Sequence, residues 1–115
     1  MSKKDDCIFC KIANHEIEST YVYEDDLVAA FRDMSPLAPT HVLVVPKDPY
    51  DSLADDVPAE TAAALLHAAR EVAKAEGITE SGFRVVANAG DDAGQAVKHL
   101  HLHVLGGRRL TDGFA

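Results

Sequence analysis

The stretch KHLHLHVLGG (98–107) decides how the chain is read, because three of its six histidines, His99, His101 and His103, alternate there with Leu100, Leu102 and Val104. Side chains of a β-strand alternate between its faces, so the three imidazoles share one face and the three aliphatic chains the other. With the leucines turned to a core, the histidines line the opposite surface at a rise of about 6.5 Å per pair. Three readings compete for such a row: a solvent face that tolerates histidine, a metal site, or a catalytic device. Two histidines at i and i+2 can both ligate zinc if a third ligand comes from elsewhere, although no HExxH or further carboxylate–histidine cluster accompanies them. Neutral imidazole is also a nucleophile near pH 7, and its phosphorylated form readily passes its cargo to water. A second histidine on the same face can then donate to phosphate oxygens. Alternation by itself leaves metal and catalysis open.

Outward from this row, FRVVANAG (83–90) reads as a strand and NAGDDAGQ (88–95) as a glycine-bearing loop leading into a last strand at 98–105. The segment from Pro58 to Glu76 is built of strong helix formers, with Pro58 suited to the first turn and Gly77 to the stop. Its Ala62, Leu65, Leu66, Ala69, Val72 and Ala73 predict one apolar stripe. Upstream, TYVYED (20–25) and LVAAFRD (27–33) form a hairpin across Asp25 and Asp26, and MSPLAPT (34–40) is a proline-bearing connection. HVLVVPK (41–47) is a strand apolar enough for burial on both faces, ending at Pro46. CIFCKIANHEI (7–17) fits a short helix or an irregular turn around its cysteine pair. Hairpins with one long helix predict an α+β domain, a mostly antiparallel sheet with the helix on one face.

At 115 residues the chain suits a single domain, residues 1–115, and 47% apolar with 26% charged residues is ordinary globular composition. A net charge of −8 argues against nucleic acid or anionic lipid as a partner. No apolar run approaches the roughly 20 residues that span a bilayer, and MSKKDDC lacks the apolar core of a signal peptide, so a cytoplasmic location is expected. In a reducing compartment the CxxC pair Cys7 and Cys10 points to metal or reactive thiols more than to a structural disulfide.

HLHLHVL (99–105), preceded by AGQAVK (93–98), resembles the histidine triad motif with its glycine–glutamine loop. CIFCKI (7–12), FRDMSPLAPTHVLVVPK (31–47), FRVVANAG (83–90) and HVLGGR (103–108) are similar to the corresponding segments of that family's purine nucleoside phosphoramidase branch. The resemblance covers nearly the whole chain. It implies a five-stranded, mostly antiparallel sheet with one long helix, joined into a ten-stranded sheet across a homodimer. It also implies a nucleotide hydrolase or transferase that cleaves purine nucleoside 5′-phosphoramidates or related adenylates through a nucleotidyl-histidine, with no cofactor required for catalysis.

Residue by residue, the resemblance makes His101 the nucleophile at the α-phosphorus, with a backbone carbonyl near His99 holding its other ring nitrogen. His103 would bind phosphate oxygens, and His41 would support the nucleophile from the adjacent strand. Asp33 would accept the ribose hydroxyls, with Met34 beside it, and Ile8, Phe9, Phe31 and Leu43 would wall the base. Asn88, Gly94, Gln95 and Ala96 would meet the phosphate. Relatives bind structural zinc through a CxxC pair, the first triad histidine and a further histidine, which implies Cys7, Cys10 and His99 as ligands.

Three departures stand out. Ala96 replaces the serine usual in this branch, Pro49 occupies the place of the second zinc histidine, and the tail RRLTDGFA (108–115) lacks the tryptophan and prolines typical there. Asp48 or Asp51 would have to supply the fourth zinc ligand. Two alternatives follow: a nucleotide-binding or protein-interaction module with little turnover, and a zinc-dependent hydrolase.

Overall fold

The computed structural model describes residues 7–113, so the MSKKDD leader and the last two residues of the tail lie outside it. Its elements run α1 (Ile8–Ala13), β1 (Tyr21–Glu24), β2 (Val28–Arg32), β3 (Thr40–Pro46), α2 (Ala59–Ala75), β4 (Phe83–Val86) and β5 (Leu102–Gly106), with a 3₁₀ turn at Asp91–Ala93. The strands form one sheet in the order β1-β2-β3-β5-β4, and every neighbouring pair is antiparallel. This is the expected α+β architecture of five strands and one long helix.

Period-two alternation splits the sheet's side chains between two cores. Val28 and Ala30 of β2, Val42 and Val44 of β3, and Leu102 and Val104 of β5 pack against Leu65, Ala68, Ala69, Val72 and Ala73 of α2. The intervening Ala29, Phe31, Leu43 and Val45 face the other way and are covered by Ile12 and Ala13 of α1. β3, central and apolar on both faces, is buried along its whole length. The histidine face is therefore roofed by a short helix at its His99 end, while His103 stays half-buried.

Two expected details shift. In α2 the buried positions are Thr61, Leu65, Ala68, Ala69, Val72 and Ala73, whereas Ala62 is exposed and Leu66 is 66% exposed. Eight of the seventeen residues of α2 are alanine, so the apolar pattern carries little information about phase. β5 begins at Leu102 instead of residue 98. Its partner β3 ends at Pro46, which has no N–H to offer, and the Leu100 N–H goes instead to the Tyr50 carbonyl at 2.7 Å. Among the described residues no helix is long and apolar enough to cross a membrane.

Candidate active site

Register places the histidines. Leu43 pairs with His103 and His41 with Leu105 across β3 and β5, while Phe31 pairs with Leu43 across β2 and β3. Phe31, His41, Leu43 and His103 thus share the α1 side of the sheet, and Asp33, two residues beyond Phe31, continues that face. The structure brings together Asp33, His41 and His103 in one cluster, and Cys7, Cys10 and His99 in another. His101 lies between the two, its ring centroid 4.9 Å from that of His103.

The partner of each ring nitrogen assigns the tautomers. His101 Nδ1 lies 2.7 Å from the His99 carbonyl oxygen, which can only accept. Nδ1 therefore carries the proton, and in the neutral ring Nε2 keeps its lone pair. The Leu37 N–H donates to His41 Nδ1 at 3.1 Å, so the His41 proton sits on Nε2 and is donated to His103 Nδ1 at 2.9 Å. His103 is left with Nε2–H as a donor. Burial holds His41 below the ordinary imidazole range against the opposing carboxylate of Asp33, which lies 3.5 Å from His41 Nε2. Burial, then the neighbouring His101 and His41, pushes His103 down to about 4. Two neutral rings are the result, one relaying its proton toward the other.

The remaining expected residues divide. Phe9 packs edge-on against both Phe31 and His101, with centroids 5.7 and 5.0 Å apart, and Phe31 and Leu43 are buried beneath. Ile8 and Met34 are exposed, Met34 by 92%. Asn88 is half-buried just beyond β4, and Gly94 and Ala96 are exposed in the loop that leads to His99. Gly94 has φ +78, the left-handed conformation that favours glycine. Gln95 is spent inside its loop: its Nε2 donates to the carbonyls of Asp51 and Val97 at 2.6 and 3.0 Å, and its Oε1 accepts the Gly90 N–H at 2.9 Å. It holds the loop's shape, a part the motif does not reveal.

At the other cluster, His99 is fully buried and its Nε2–H donates to the Pro46 carbonyl at 2.9 Å. Its Nδ1 lone pair thus faces the sulphurs of Cys7 and Cys10 at 3.1 and 3.0 Å. α1 sets this up: Cys7 is its N-cap, accepting the Cys10 N–H, which folds the CxxC pair onto one imidazole. Two sulphurs and an oriented nitrogen suit three corners of a zinc tetrahedron. Standard bond lengths require S···N separations of about 3.6 Å around zinc, so the cluster would open by about half an ångström to seat the ion. Pro49 is buried nearby in sequence, and among the described residues no Asp48 or Asp51 oxygen joins the three donors within 4.8 Å.

Two contributors were not legible as residue types, because both act through the backbone: the Leu37 N–H and the Pro46 carbonyl. Their sequence signal is the proline spacing, which leaves few free N–H groups around Leu37 and ends β3 at Pro46.

The family model for the HIT domain matches residues 14–110. The chain belongs to the HIT family. This HIT protein is 47% identical over 109 residues to the purine nucleoside phosphoramidase of Escherichia coli K12, covering 92% of this chain and 91% of that one. It is 50% identical over 108 residues to a 14 kDa zinc-binding protein of Zea mays, covering 90% and 84%. Among solved structures, a histidine triad protein from Clostridium difficile superposes on it with a TM-score of 0.89 at 51% identity, covering 98% of this chain and 100% of that one.

Proposed function

We propose that this HIT protein, acting as one domain, is a hydrolase of purine nucleoside 5′-phosphoramidates or related adenylates, working through a nucleotidyl-histidine. The observation that carries the reading is the 2.7 Å bond from His101 Nδ1 to the His99 carbonyl, which leaves Nε2 as the attacking atom of a ring whose centroid is 4.9 Å from that of His103. In the first step Nε2 bonds to the α-phosphorus, the P–N bond breaks, and the amine departs with its electron pair and takes up a proton from solvent. His103 donates to the phosphate oxygens as charge gathers there. In the second step water attacks the same phosphorus, releasing the nucleoside monophosphate and the free imidazole. Asp33 receives the ribose hydroxyls, and Phe9, Phe31 and Leu43 form the apolar wall for the base. The resemblance of the E. coli relative, a purine nucleoside phosphoramidase, supports the substrate class.

His101→Ala tests this directly. Turnover of adenosine and guanosine 5′-phosphoramidates should fall by roughly 10⁴-fold or more, AMP should still bind, and the nucleotidyl adduct on wild-type His101 should vanish from the mass spectrum. Equal turnover by both proteins sinks the mechanism. Ala96 favours a second reading, a nucleotide-binding module with little turnover, since a hydroxyl is missing from the loop before the triad; wild-type binding without turnover would select it.

Two partners complete the reading. Cys7, Cys10 and His99 hold a structural zinc, which would fix α1 to the segment leading into β5 and take no part in the chemistry; the zinc-binding name of the maize relative supports this. A second copy pairs along β4, the sheet edge where Phe83 and Val85 stay 39% and 38% exposed, to give ten strands. Val85→Lys should halve the mass measured by light scattering, and an unchanged mass would place the interface elsewhere.

A further inference from the structure

We infer that Arg108 is a positioning residue for the His41–His103 pair, acting through the loop 33–39; the inference rests on the nucleotidyl-transfer reading above. Beyond β5 the chain turns at Gly107, whose φ is +91 and where a Cβ would sit 2.9 Å from the Cβ of Pro39. Only glycine brings the chain this close to the loop. The next residue, Arg108, donates from Nη2 to the Leu37 carbonyl at 2.9 Å, and its Nη1 donates to the Arg109 carbonyl at 3.0 Å, which fixes the plane of the guanidinium.

Leu37 is the residue whose N–H sets the His41 tautomer. Its side chain is 71% exposed, so side-chain packing holds it weakly. The loop start is tied by Asp33 Oδ1, which accepts the Ser35 N–H at 2.7 Å, and the Arg108 bond ties the middle. Pro36 and Pro39 flank Leu37 and have no N–H of their own. Arg108 therefore holds the residue that orients His41, and His41 in turn orients His103. A charge-assisted bond at an exposed position performs a task that the motif assigns to histidines alone.

Arg108→Ala and Arg108→Met test this, the second keeping the apolar stem so that a folded variant is in hand. Nitrogen-15 chemical shifts at fixed pH above 7 should show His41 leaving a single Nε2–H tautomer for a mixture. The kcat should fall by roughly tenfold, the rate equivalent of losing one hydrogen bond from a charged donor. Arg108→Lys, which restores a cationic donor, should recover most of both signals. An unshifted His41 tautomer with wild-type kcat in folded Arg108→Met overturns the inference, even if thermal stability drops. Wild-type protein that turns over no phosphoramidate would instead sink the functional reading, and the tautomer shift, which needs no substrate, would still decide the role of Arg108.

Discussion

His99 and His103 stand four residues apart in one alternating row and end in opposite surroundings. His99 is sealed against two sulphurs, with its other nitrogen bound to a carbonyl; His103 is half-buried, with one nitrogen on His41. What covers the face makes the difference. α1 roofs the His99 end with its CxxC pair, while at the other end β3 contributes His41 and the loop after β2 contributes Asp33. His101 takes its anchor from the closed half, through the His99 carbonyl, and packs between Phe9 of α1 and His103 of the open half. In the proposed reading one end of the row is built for holding and the other for chemistry.

Exchanging damage between the two ends breaks this comparison if it is wrong. His103→Ala should lower kcat by roughly 10²–10³-fold, the loss typical of one donor to a developing oxyanion, with little change in thermal midpoint. His99→Ala should destabilise by about 3 kcal/mol, because it empties a fully buried site and takes the His99 Nε2–H away from the Pro46 carbonyl. It should also abolish bound zinc in elemental analysis, whereas His103→Ala should not. A stable His99→Ala protein, or an unstable His103→Ala protein, would mean that the two halves are not specialised.

Acid sharpens the same contrast. His103 titrates near 4 in the fold instead of 6.5, and His41 is lowered too, so between those values the unfolded chain binds protons that the folded protein refuses. These rings therefore stabilise the fold fully above about pH 6.5 and progressively less as pH falls toward 4. The carboxylates held low by partners, Glu24 by Lys47 and Glu76 by Arg32, weaken the fold only at more acid pH. Denaturant midpoints should decline from pH 7 to 4.5 in wild type and decline less in His103→Gln. A parallel decline in both would remove His103 as the source.

Most of the architecture was legible because its signals are periodic. The hairpin at Asp25 and Asp26, the doubly buried β3 and the shared face of the triad all follow from alternation and turn chemistry. The phase of α2 was not legible, since alanine fits either side of a helix and Leu66 could be placed in the core only by assuming a stripe. The start of β5 was hidden for a different reason. HLHLHVL alternates throughout, yet strand pairing also needs a partner, and Pro46 withdraws it before His101. At the site, residue types pointed to histidine chemistry and the resemblance to its roles. The carbonyls and N–H groups that fix each tautomer carry no side-chain signature and are defined only by the folded backbone.

Ala96 tests how far the open half falls short of what its chemistry can use. It is exposed in the loop between Gln95, whose side chain braces that loop, and His99, whose carbonyl anchors His101. A hydroxyl there would add a side-chain donor beside the His103 Nε2–H. Ala96→Ser should therefore raise kcat by roughly three- to tenfold, the equivalent of a net hydrogen bond of about 0.6–1.4 kcal/mol. Stability should hardly move, since an exposed loop alanine gives up no packing. The gain should require His101: in an Ala96→Ser, His101→Ala double variant it should disappear, because the added donor serves only a phosphorus that the imidazole attacks. A serine that leaves kcat unchanged would place residue 96 outside the phosphate's reach.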